Sequence, residues 1–436
     1  MSAMAETLAG FGVSVCGSDR RDSPALQRLR TLGIPVFVGH NAANVDPGCD
    51  AMIFSAAVDM QNPELKLARE KNIPIVRRAE LLGELMSCFH SLAVAGTHGK
   101  TTTTGMLIHI LRAAKSDPSW VVGGVWSGGE AGHAGDGKFF VAEADEYDRA
   151  FLALHPVSAL VTNIDSDHMD IYGTMTSLED AFVEFLNGLP AHGVAVLNAE
   201  DAGLNRIRDR LQCRVRTFGI ATGDYSIRNL EADAEGARFS LWRSGEALGS
   251  VRLQVVGLHN VSNALAAAAL ALEEGVSFDA VAEGLAKFPG MHRRLERIGT
   301  KKNISIIDDY AHHPSEVAAT LKAARLVAKG RLAVLFQPHL YSRTQQLTRE
   351  FASAFLACDL LFVLPVYAAR EVPIPGVEGS SIVEEAIRLG HASAKFIGRE
   401  TAALDVAGAL KAGDVCLTMG AGDVGELAPF ILEAVA

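Results

Sequence analysis

The 436-residue sequence has few cysteines and no long apolar run. Its six cysteines include no C-x-x-C pair, which argues against zinc-site and thiol-redox spacings and favours reduced, packed thiols. The longest apolar stretch, 264–272, is about half a membrane span and fits a buried helix. The first basic residue is Arg20, so the start lacks the charged region of a secretory signal. We expect a cytoplasmic protein that does not use a membrane.

Basic residues are also scarce relative to acidic ones. Forty Lys and Arg against 51 Asp and Glu give a formal charge of −11, which disfavours a nucleic-acid partner. Hydrophobic residues at 49% and charged residues at 21% describe an ordinary globular chain. At about 150 residues per domain, the length predicts roughly three domains. The sequence carries no indication of the oligomeric state.

Short apolar segments alternate with helix-like segments, which indicates an α/β fold built on parallel sheets. We predict a Rossmann-like first domain over 1–90, with helices beginning near Pro24, Pro63 and Ala79. Its predicted strands are 13–15, 36–38, 52–54 and 73–76.

The rest of the chain alternates in the same way. The block 91–297 predicts a P-loop ATPase-like parallel sheet with strands 92–95, 139–143, 159–163 and 194–198, a small antiparallel addition at about 213–256, and an Ala-rich helix at 260–274. The block 298–436 predicts a second Rossmann-like parallel sheet with strands 304–308, 332–336, 360–364, 394–397 and 415–418.

The segment GTHGKTTTT (96–104) follows a strand and precedes a helix-like run. Glycines let backbone N–H groups turn inward, the helix N-terminus adds positive potential, and a lysine supplies charge for terminal phosphates. Val94 stands where the usual G-x-x-x-x-G-K-[ST] spacing has its first glycine, so this loop is shorter. We predict phosphate contacts from Gly96, Thr97, His98, Gly99, Lys100, Thr101 and Thr102.

Two acidic segments end the next strands of the same predicted sheet. Residues 143–146 (EADE) and 163–170 (NIDSDHMD) lie at the carboxyl edge, where ligands of α/β folds bind. Mg²⁺ prefers carboxylates, hydroxyls and phosphate oxygens, and an imidazole is a less usual ligand. We predict that Thr101, Glu143 and His168 hold a magnesium ion beside the phosphates.

Eight ordered motifs together resemble the Mur ligases, which are ATP-dependent amide ligases of peptidoglycan assembly. The resemblance extends over essentially the whole chain. The motifs are GTHGKTTTT (96–104), EADEYD (143–148), NIDSDHMDIYG (163–173), GLHNVSNALAA (257–267), FPGMHRRLE (288–296), DDYAHHPSE (308–316), FQPHLYSRT (336–344) and MGAGD (419–423).

This resemblance implies three domains, which hold a UDP-sugar (1–90), ATP (91–297) and an amino acid (298–436). The family members that the chain resembles most join L-alanine to the lactyl carboxylate of UDP-N-acetylmuramate. The reaction passes through an acyl phosphate and releases ADP and phosphate, so the implied substrates are these two compounds and ATP, with Mg²⁺ as cofactor.

The resemblance also implies a role for individual residues. Lys100, Glu143, His168 and Arg293 would be catalytic, with Lys100 on the β/γ-phosphates and Arg293 also reaching the phosphates. The remaining residues would contact ligands: His259 and Asn260 the adenine, Asp308, Tyr310 and His312 the nucleotide and amino-acid interface, and His339 and Arg343 the incoming alanine.

Several of these residues have a plain structural interpretation when the resemblance is set aside. Asp308 and His312 fit a charged turn before a proline-started helix equally well, and Arg293 with Arg294 fits a solvated pair. His40 and His192 show no partner in the sequence and are expected on the surface.

The chain also departs from the family pattern. Residues 1–8 already resemble the first helix, so the first strand and its glycine-rich loop are expected to be missing, which puts affinity for the UDP-sugar in doubt. Leu340 stands where many relatives have arginine, and Tyr147 is typical of a sister ligase that attaches an intact tripeptide. Besides the tripeptide ligase, the alternatives are a non-ligating P-loop ATPase and a sugar-nucleotide binder.

Overall fold

The computed structural model describes residues 1–126, 129–369 and 371–435, and only the backbone of Asp170. The chain forms two compact units. The first comprises Met1–Leu230, Phe239–Arg252 and Ser262–Phe288, and the second comprises Glu231–Arg238, Leu253–Val261 and Pro289–Ala436. Among the described residues, no helix combines the length and the apolar character needed to cross a membrane.

The secondary structure follows the alternation seen in the sequence. The helices are α1 (Ser2–Gly10), α2 (Pro24–Thr31), α3 (Pro63–Glu70), α4 (Arg78–Ser87), α5 (Lys100–Ala113), α6 (Met169–Tyr172), α7 (Met175–Asn187), α8 (Ala202–Ile207), α9 (Leu258–Glu273), α10 (Phe278–Lys287), α11 (Pro314–Val327), α12 (Tyr341–Phe355), α13 (Gly379–Arg388), α14 (Ala402–Ala409) and α15 (Leu427–Ala434). Short 3₁₀ turns lie at Ala42–Asn44, Tyr147–Ala153, Arg208–Arg210 and Val424–Glu426.

The strands are β1 (Gly17–Asp19), β2 (Val36–Val38), β3 (Met52–Phe54), β4 (Ile75–Arg77), β5 (His90–Ala95), β6 (Ser119–Val121), β7 (Gly132–His133), β8 (Phe139–Glu143), β9 (Ser158–Val161), β10 (Val194–Asn198), β11 (Arg214–Phe218), β12 (Tyr225–Asp233), β13 (Gly236–Arg243), β14 (Glu246–Leu253), β15 (Glu296–Lys301), β16 (Ile304–Asp309), β17 (Leu332–Phe336), β18 (Leu360–Val363), β19 (Ala394–Phe396) and β20 (Val415–Met419).

The N-terminal strands pair less extensively than predicted. β1 pairs in parallel with β2, and β3 pairs in parallel with β4, but within the described residues no strand joins the two pairs. The predicted strand 13–15 is wrong, because pairing with β2 begins at Gly17. The predicted helix starts at Pro24 and Pro63 are confirmed, and each proline occupies the first turn, where no N–H is needed.

A ten-stranded sheet forms the centre of the first unit, in the order β14-β13-β12-β11-β10-β9-β5-β8-β6-β7. The strands β8, β5, β9 and β10 run parallel, as the sequence predicts. β11 also runs parallel to β10, so the prediction that 213–256 is antiparallel is wrong for its first strand. Two-residue turns join β12 to β13 and β13 to β14, and such tight connections require antiparallel neighbours. Phe182 and Phe185 of α7 are buried in the hydrophobic core of this unit.

The second unit has a six-stranded sheet in the order β15-β16-β20-β17-β18-β19. Five strands are parallel, and β15 is an antiparallel edge strand that the sequence analysis missed. Its sequence, ERIGTK, is polar because much of the edge faces solvent. The carboxyl ends of β16, β17 and β20 therefore meet at one edge, which carries the polar motifs of this unit.

A buried glutamate holds the end of α9 to the small strands of the first unit. The Glu273 side chain is 1% exposed and pairs with Arg214, Arg216 and Arg243. It also accepts a 2.7 Å hydrogen bond from the Tyr225 hydroxyl. A carboxylate at the last residue of a helix is disfavoured by the helix dipole, and three guanidinium groups offset that cost.

Replacing Glu273 by Gln should therefore destabilise the protein by about 3 kcal/mol, because the arginines lose their shared anion. The measurement is the free energy of unfolding by chemical denaturation. Glu283→Gln is the matched control, since Glu283 pairs with Lys287 on an exposed helix face and its loss should leave stability unchanged. Equal effects of the two substitutions would contradict the role of Glu273.

Candidate active site

The predicted phosphate loop connects β5 to α5, and the neighbouring strand β9 fixes its shape. The Thr97 N–H donates to the Asn163 carbonyl at 3.0 Å, and the His98 N–H donates to the Asn163 side chain at 2.9 Å. The Thr162 hydroxyl donates to the His98 carbonyl at 2.6 Å. The residues after β9 thus hold the loop, a role that the sequence analysis did not assign to Thr162 or Asn163.

Two glycines of the loop have backbone conformations that favour glycine. Gly96 has φ +121°, and Gly99, which precedes α5, has φ +84°. A Cβ on Gly96 would lie 2.2 Å from the Thr162 Oγ1, and one on Gly99 would lie 2.7 Å from the Asn263 Oδ1. Both positions therefore require glycine for its conformation and for its small size.

Lys100 begins α5, and its ammonium group points back into the loop. Its Nζ donates to the Gly96 carbonyl at 2.6 Å, the Thr97 carbonyl at 3.1 Å and the Glu146 Oε2 at 2.8 Å. These three contacts use the three donors of an ammonium group. The predicted lysine is therefore at the centre of the loop, in an ion pair with a glutamate to which the sequence analysis gave no role.

The charges around Lys100 are mostly negative. Burial lowers the pKa of Lys100, but the carboxylates of Glu146, Asp145 and Glu143 outweigh it and the pKa is raised above its ordinary value. Lys100 is therefore a permanent cation at neutral pH. Three acidic side chains around one ammonium leave an excess of negative charge at a site that is predicted to receive phosphates.

Thr101 and Glu143 lie together, as predicted. The Thr101 hydroxyl donates to the Glu143 Oε2 at 3.2 Å, and the Gly123 N–H donates to Oε1 at 2.9 Å. Burial raises the pKa of Glu143, against the hydrogen bond from Gly123 and the charge of Lys100. The Glu143 side chain is thus held at the end of β8. Its partner Thr101 directly follows Lys100 in α5.

His168 joins two other carboxylates of the same acidic segment. Ligand atoms of His168, Asp145 and Glu146 all lie within 4.8 Å of one another, an arrangement that could hold a metal ion. Tyr147 packs edge-on against the His168 ring at 5.2 Å. His168 has φ +58°, an uncommon conformation for histidine, and such conformations concentrate at functional sites.

The second unit has its own polar centre at the end of β16. Arg293 donates from Nε to the Asp308 Oδ2 at 2.8 Å, and its other nitrogens donate to the Gly422 carbonyl at 3.0 Å and the Gly420 carbonyl at 2.6 Å. The Thr418 hydroxyl donates to the Asp308 Oδ1 at 2.5 Å. Arg293 is therefore not a solvated residue, because it joins Asp308 to the glycine-containing MGAGD segment.

Three predicted substrate residues form an aromatic row in this unit. Tyr310 packs edge-on against His312 at 5.3 Å, and His312 lies 6.0 Å from His339. Tyr367, which the sequence analysis missed, stacks on His339 at 5.8 Å. Arg343 lies in the first turn of α12, three residues after Leu340, the position where many relatives have arginine.

The two residues predicted at the adenine lie in the first turn of α9. Burial lowers the pKa of His259 to about 4, and the charge of Arg294 adds to this, so the imidazole is neutral at physiological pH. Asn260 is buried, and its side-chain amide donates to the Val256 carbonyl at 2.8 Å. A neutral ring and a fixed amide suit a heterocycle better than a phosphate.

His40 is not an isolated surface residue, contrary to the sequence analysis. Its Nδ1 lies 2.9 Å from the Ser18 hydroxyl, which donates to the Glu64 Oε2 at 2.7 Å. Ser18 is in β1, and Glu64 is in the first turn of α3 and buried. The three side chains form a small hydrogen-bonded polar cluster at the carboxyl edge of the β1–β2 pair.

Comparison with known proteins gives matches along most of the chain. Residues 1–90 match a model described as the Mur ligase family, catalytic domain, residues 94–271 match the Mur ligase middle domain, and residues 293–422 match the Mur ligase, glutamate ligase domain. These three successive matches agree with the predicted three-domain α/β architecture.

Similar proteins span nearly the same length. A UDP-N-acetylmuramate–L-alanine ligase from Trichlorobacter lovleyi is 43% identical over 97% of this chain and 94% of its own, and one from Myxococcus xanthus is 42% identical over 99% and 92%. A crystal structure of a UDP-N-acetylmuramate-alanine ligase from Thermotoga maritima is 31% identical, with a TM-score of 0.84, and covers 99% of this chain and 96% of that one.

Proposed function

Because this chain belongs to the Mur ligase family, we propose that it joins L-alanine to the lactyl carboxylate of UDP-N-acetylmuramate, with conversion of ATP to ADP and phosphate. The observation that carries this proposal is the phosphate loop around Lys100, bordered by the carboxylates that follow β8. Full-length relatives named for the alanine reaction support the choice of substrates.

The reaction needs activation because a carboxylate is a poor electrophile. Transfer of the ATP γ-phosphoryl group to the lactyl carboxylate gives an acyl phosphate, which the amine of L-alanine then attacks with loss of phosphate. The two reacting groups are both anions, so cationic groups must stabilise the transferring phosphoryl group. Lys100 is proposed to do this at the β/γ-phosphates, with Gly96, Thr97, His98, Gly99, Thr101 and Thr102 lining the loop.

The residues beside Lys100 fit a magnesium ion. Glu143 would provide a hard oxygen ligand, Thr101 a hydroxyl and His168 an imidazole, while Asp145 and Glu146 lie near His168 and add negative charge. Three carboxylates would repel a triphosphate unless a cation enters with it. We propose that Thr101, Glu143 and His168 hold Mg²⁺, with Asp145 and Glu146 beside them. When bound, the ion would neutralise phosphate charge during transfer.

The polar residues of the second unit are proposed to serve the other ligands. A guanidinium has five N–H donors, and the contacts of Arg293 account for three, so it keeps donors for a phosphate. Asp308, Tyr310 and His312 are proposed at the nucleotide and amino-acid interface, and Arg343 as the clamp for the alanine carboxylate. His339 or His312 is the proposed base, since the attacking amine must be neutral.

We propose that each predicted domain binds one ligand of the reaction. Residues 1–90 would hold the UDP-sugar, 91–297 the ATP, with His259 and Asn260 at the adenine, and 298–436 the amino acid. ATP and nucleotide-sugars are cytoplasmic metabolites, so the reaction is proposed to take place there.

A sister reaction, attachment of an intact tripeptide to the same UDP-sugar, is the second candidate. It is favoured by Tyr147, which is typical of the tripeptide ligase and whose ring contacts His168.

An ADP-release assay separates the candidates. With ATP, Mg²⁺ and UDP-N-acetylmuramate present, L-alanine should give ADP and a ligated product, whereas L-Ala-γ-D-Glu-diaminopimelate should give neither. Release should also stop when the sugar nucleotide is omitted. Turnover with the tripeptide and not with L-alanine would establish the sister reaction. ADP release without the sugar nucleotide would establish a plain ATPase. Calorimetric binding of the sugar nucleotide without any turnover would establish a binding protein.

A further inference from the structure

Glu146 is an unusual residue beside the phosphate loop, because its side chain is buried and charged and only one of its two carboxylate oxygens has a hydrogen-bond partner. Its side chain is 1% exposed, and its Oε2 accepts the hydrogen bond from Lys100. Its Oε1 is buried without a hydrogen-bond partner. A buried acceptor without a partner costs free energy, and the fold alone does not explain why one lies here.

The position of Glu146 is fixed by its backbone. Its carbonyl accepts a 2.6 Å hydrogen bond from the Tyr172 hydroxyl and a 3.0 Å hydrogen bond from the Arg149 N–H. Asp148 and Arg149, which follow it, have φ of +53° and +54°. The segment is thus held in a strained turn that directs an acidic side chain towards the ammonium of Lys100.

The ammonium of Lys100 has no donor left for a ligand in this arrangement. Two of its contacts are loop carbonyls, which belong to the same turn, and the third is the Glu146 carboxylate. A phosphate oxygen that accepts from this ammonium must therefore displace one of the three. The carboxylate is the partner that most resembles a phosphate oxygen in charge and in hydrogen bonding.

We propose that Glu146 is a positioning residue that acts as a resident anion of the phosphate loop: it holds Lys100 when no phosphate is bound and exchanges with a nucleotide phosphate oxygen during each turnover. The carboxylate opposes nucleotide binding and favours release of ADP. This role rests on the proposed function, because it requires that the loop binds ATP.

Isothermal titration calorimetry of the full chain with ATP and Mg²⁺ tests the exchange. Glu146→Gln keeps an acceptor for Lys100 but removes the charge that competes with phosphate. We expect ATP to bind about tenfold more tightly, the equivalent of one charge-assisted hydrogen bond. AMP, which lacks the β- and γ-phosphates, should bind equally to both proteins. A merely structural role for Glu146 would weaken ATP binding.

Asp145→Asn is the matched control. Asp145 acts on Lys100 through its charge and not through a hydrogen bond, and its Oδ1 accepts from the Tyr147 N–H at 3.2 Å. If the exchange is correct, Asp145→Asn should tighten ATP binding much less than Glu146→Gln. Equal tightening would mean a general effect of charge and would overturn the proposal, as would unchanged or weaker ATP binding by a folded Glu146→Gln variant.

Steady-state kinetics give a second readout. Glu146→Gln should lower both the KM for ATP and kcat, because ADP leaves more slowly when no carboxylate reclaims the ammonium. An unchanged KM would contradict the exchange. The wild-type titration distinguishes failure of the proposed function from failure of the role of Glu146. Absence of ATP binding by the wild-type chain would refute the proposed function. Wild-type binding without tighter binding by Glu146→Gln would refute only the role of Glu146.

Discussion

Replacement of Lys100 by Ala is expected to lower kcat for the proposed ligation by at least about a thousandfold, because the phosphoryl group loses its fixed cation. The ammonium lies at the centre of the loop, bound to the Gly96 and Thr97 carbonyls, and water cannot supply its charge. ADP release in the presence of both co-substrates measures the loss. Product formation at the wild-type rate would contradict the assignment of this loop.

The same substitution should also destabilise the protein, for a reason that is separate from catalysis. Removing Lys100 leaves the buried carboxylate of Glu146 without its counter-charge, at a cost of about 3–5 kcal/mol. The double variant Lys100→Ala with Glu146→Gln should recover most of that stability and remain inactive. Thermal unfolding of the two variants therefore separates loss of chemistry from loss of fold.

The sequence predicts strands well where burial determines them. The strands β3, β10 and β17 are short apolar runs, and their predicted bounds are confirmed. In contrast, the β-branched residues at 13 and 15 do not form a strand, because pairing with Val36–Val38 selects Gly17–Asp19 instead. β15 was missed for the opposite reason, since a solvent-facing edge strand has no apolar pattern to detect.

At the site, the sequence predicts one contact between side chains but not two others. The contact between Thr101 and Glu143 follows from placing both residues at the same edge of one parallel sheet. The ion pair of Lys100 with Glu146 depends instead on the turn at Asp148 and Arg149, which no propensity predicts for non-glycine residues. Tyr367 lies in an irregular segment after β18, so only tertiary structure brings it to His339.

Gly96→Ala is expected to reduce ATP affinity by about a hundredfold. The new Cβ would push the phosphate loop away from the residues after β9, and small displacements of binding groups cost much affinity. The new Cβ would lie 2.2 Å from the Thr162 Oγ1, 2.9 Å from the Thr162 nitrogen and 3.0 Å from the Asn163 nitrogen. The Thr162 side chain can rotate away, but the two backbone nitrogens belong to the segment directly after β9 and cannot. The loop must therefore separate from β9 and lose its hydrogen bonds to Asn163.

Gly12→Ala is the control that isolates contact from backbone strain. Gly12 has φ +82°, and a Cβ there would meet nothing within 4 Å, so alanine should cost about 1–2 kcal/mol in stability and leave ATP affinity unchanged. Calorimetric titration of both variants with ATP and Mg²⁺ makes the comparison. If Gly96→Ala binds ATP as Gly12→Ala does, the close fit between the loop and β9 does not govern phosphate binding. A large loss for Gly96→Ala alone would identify that fit as the reason why glycine begins this loop.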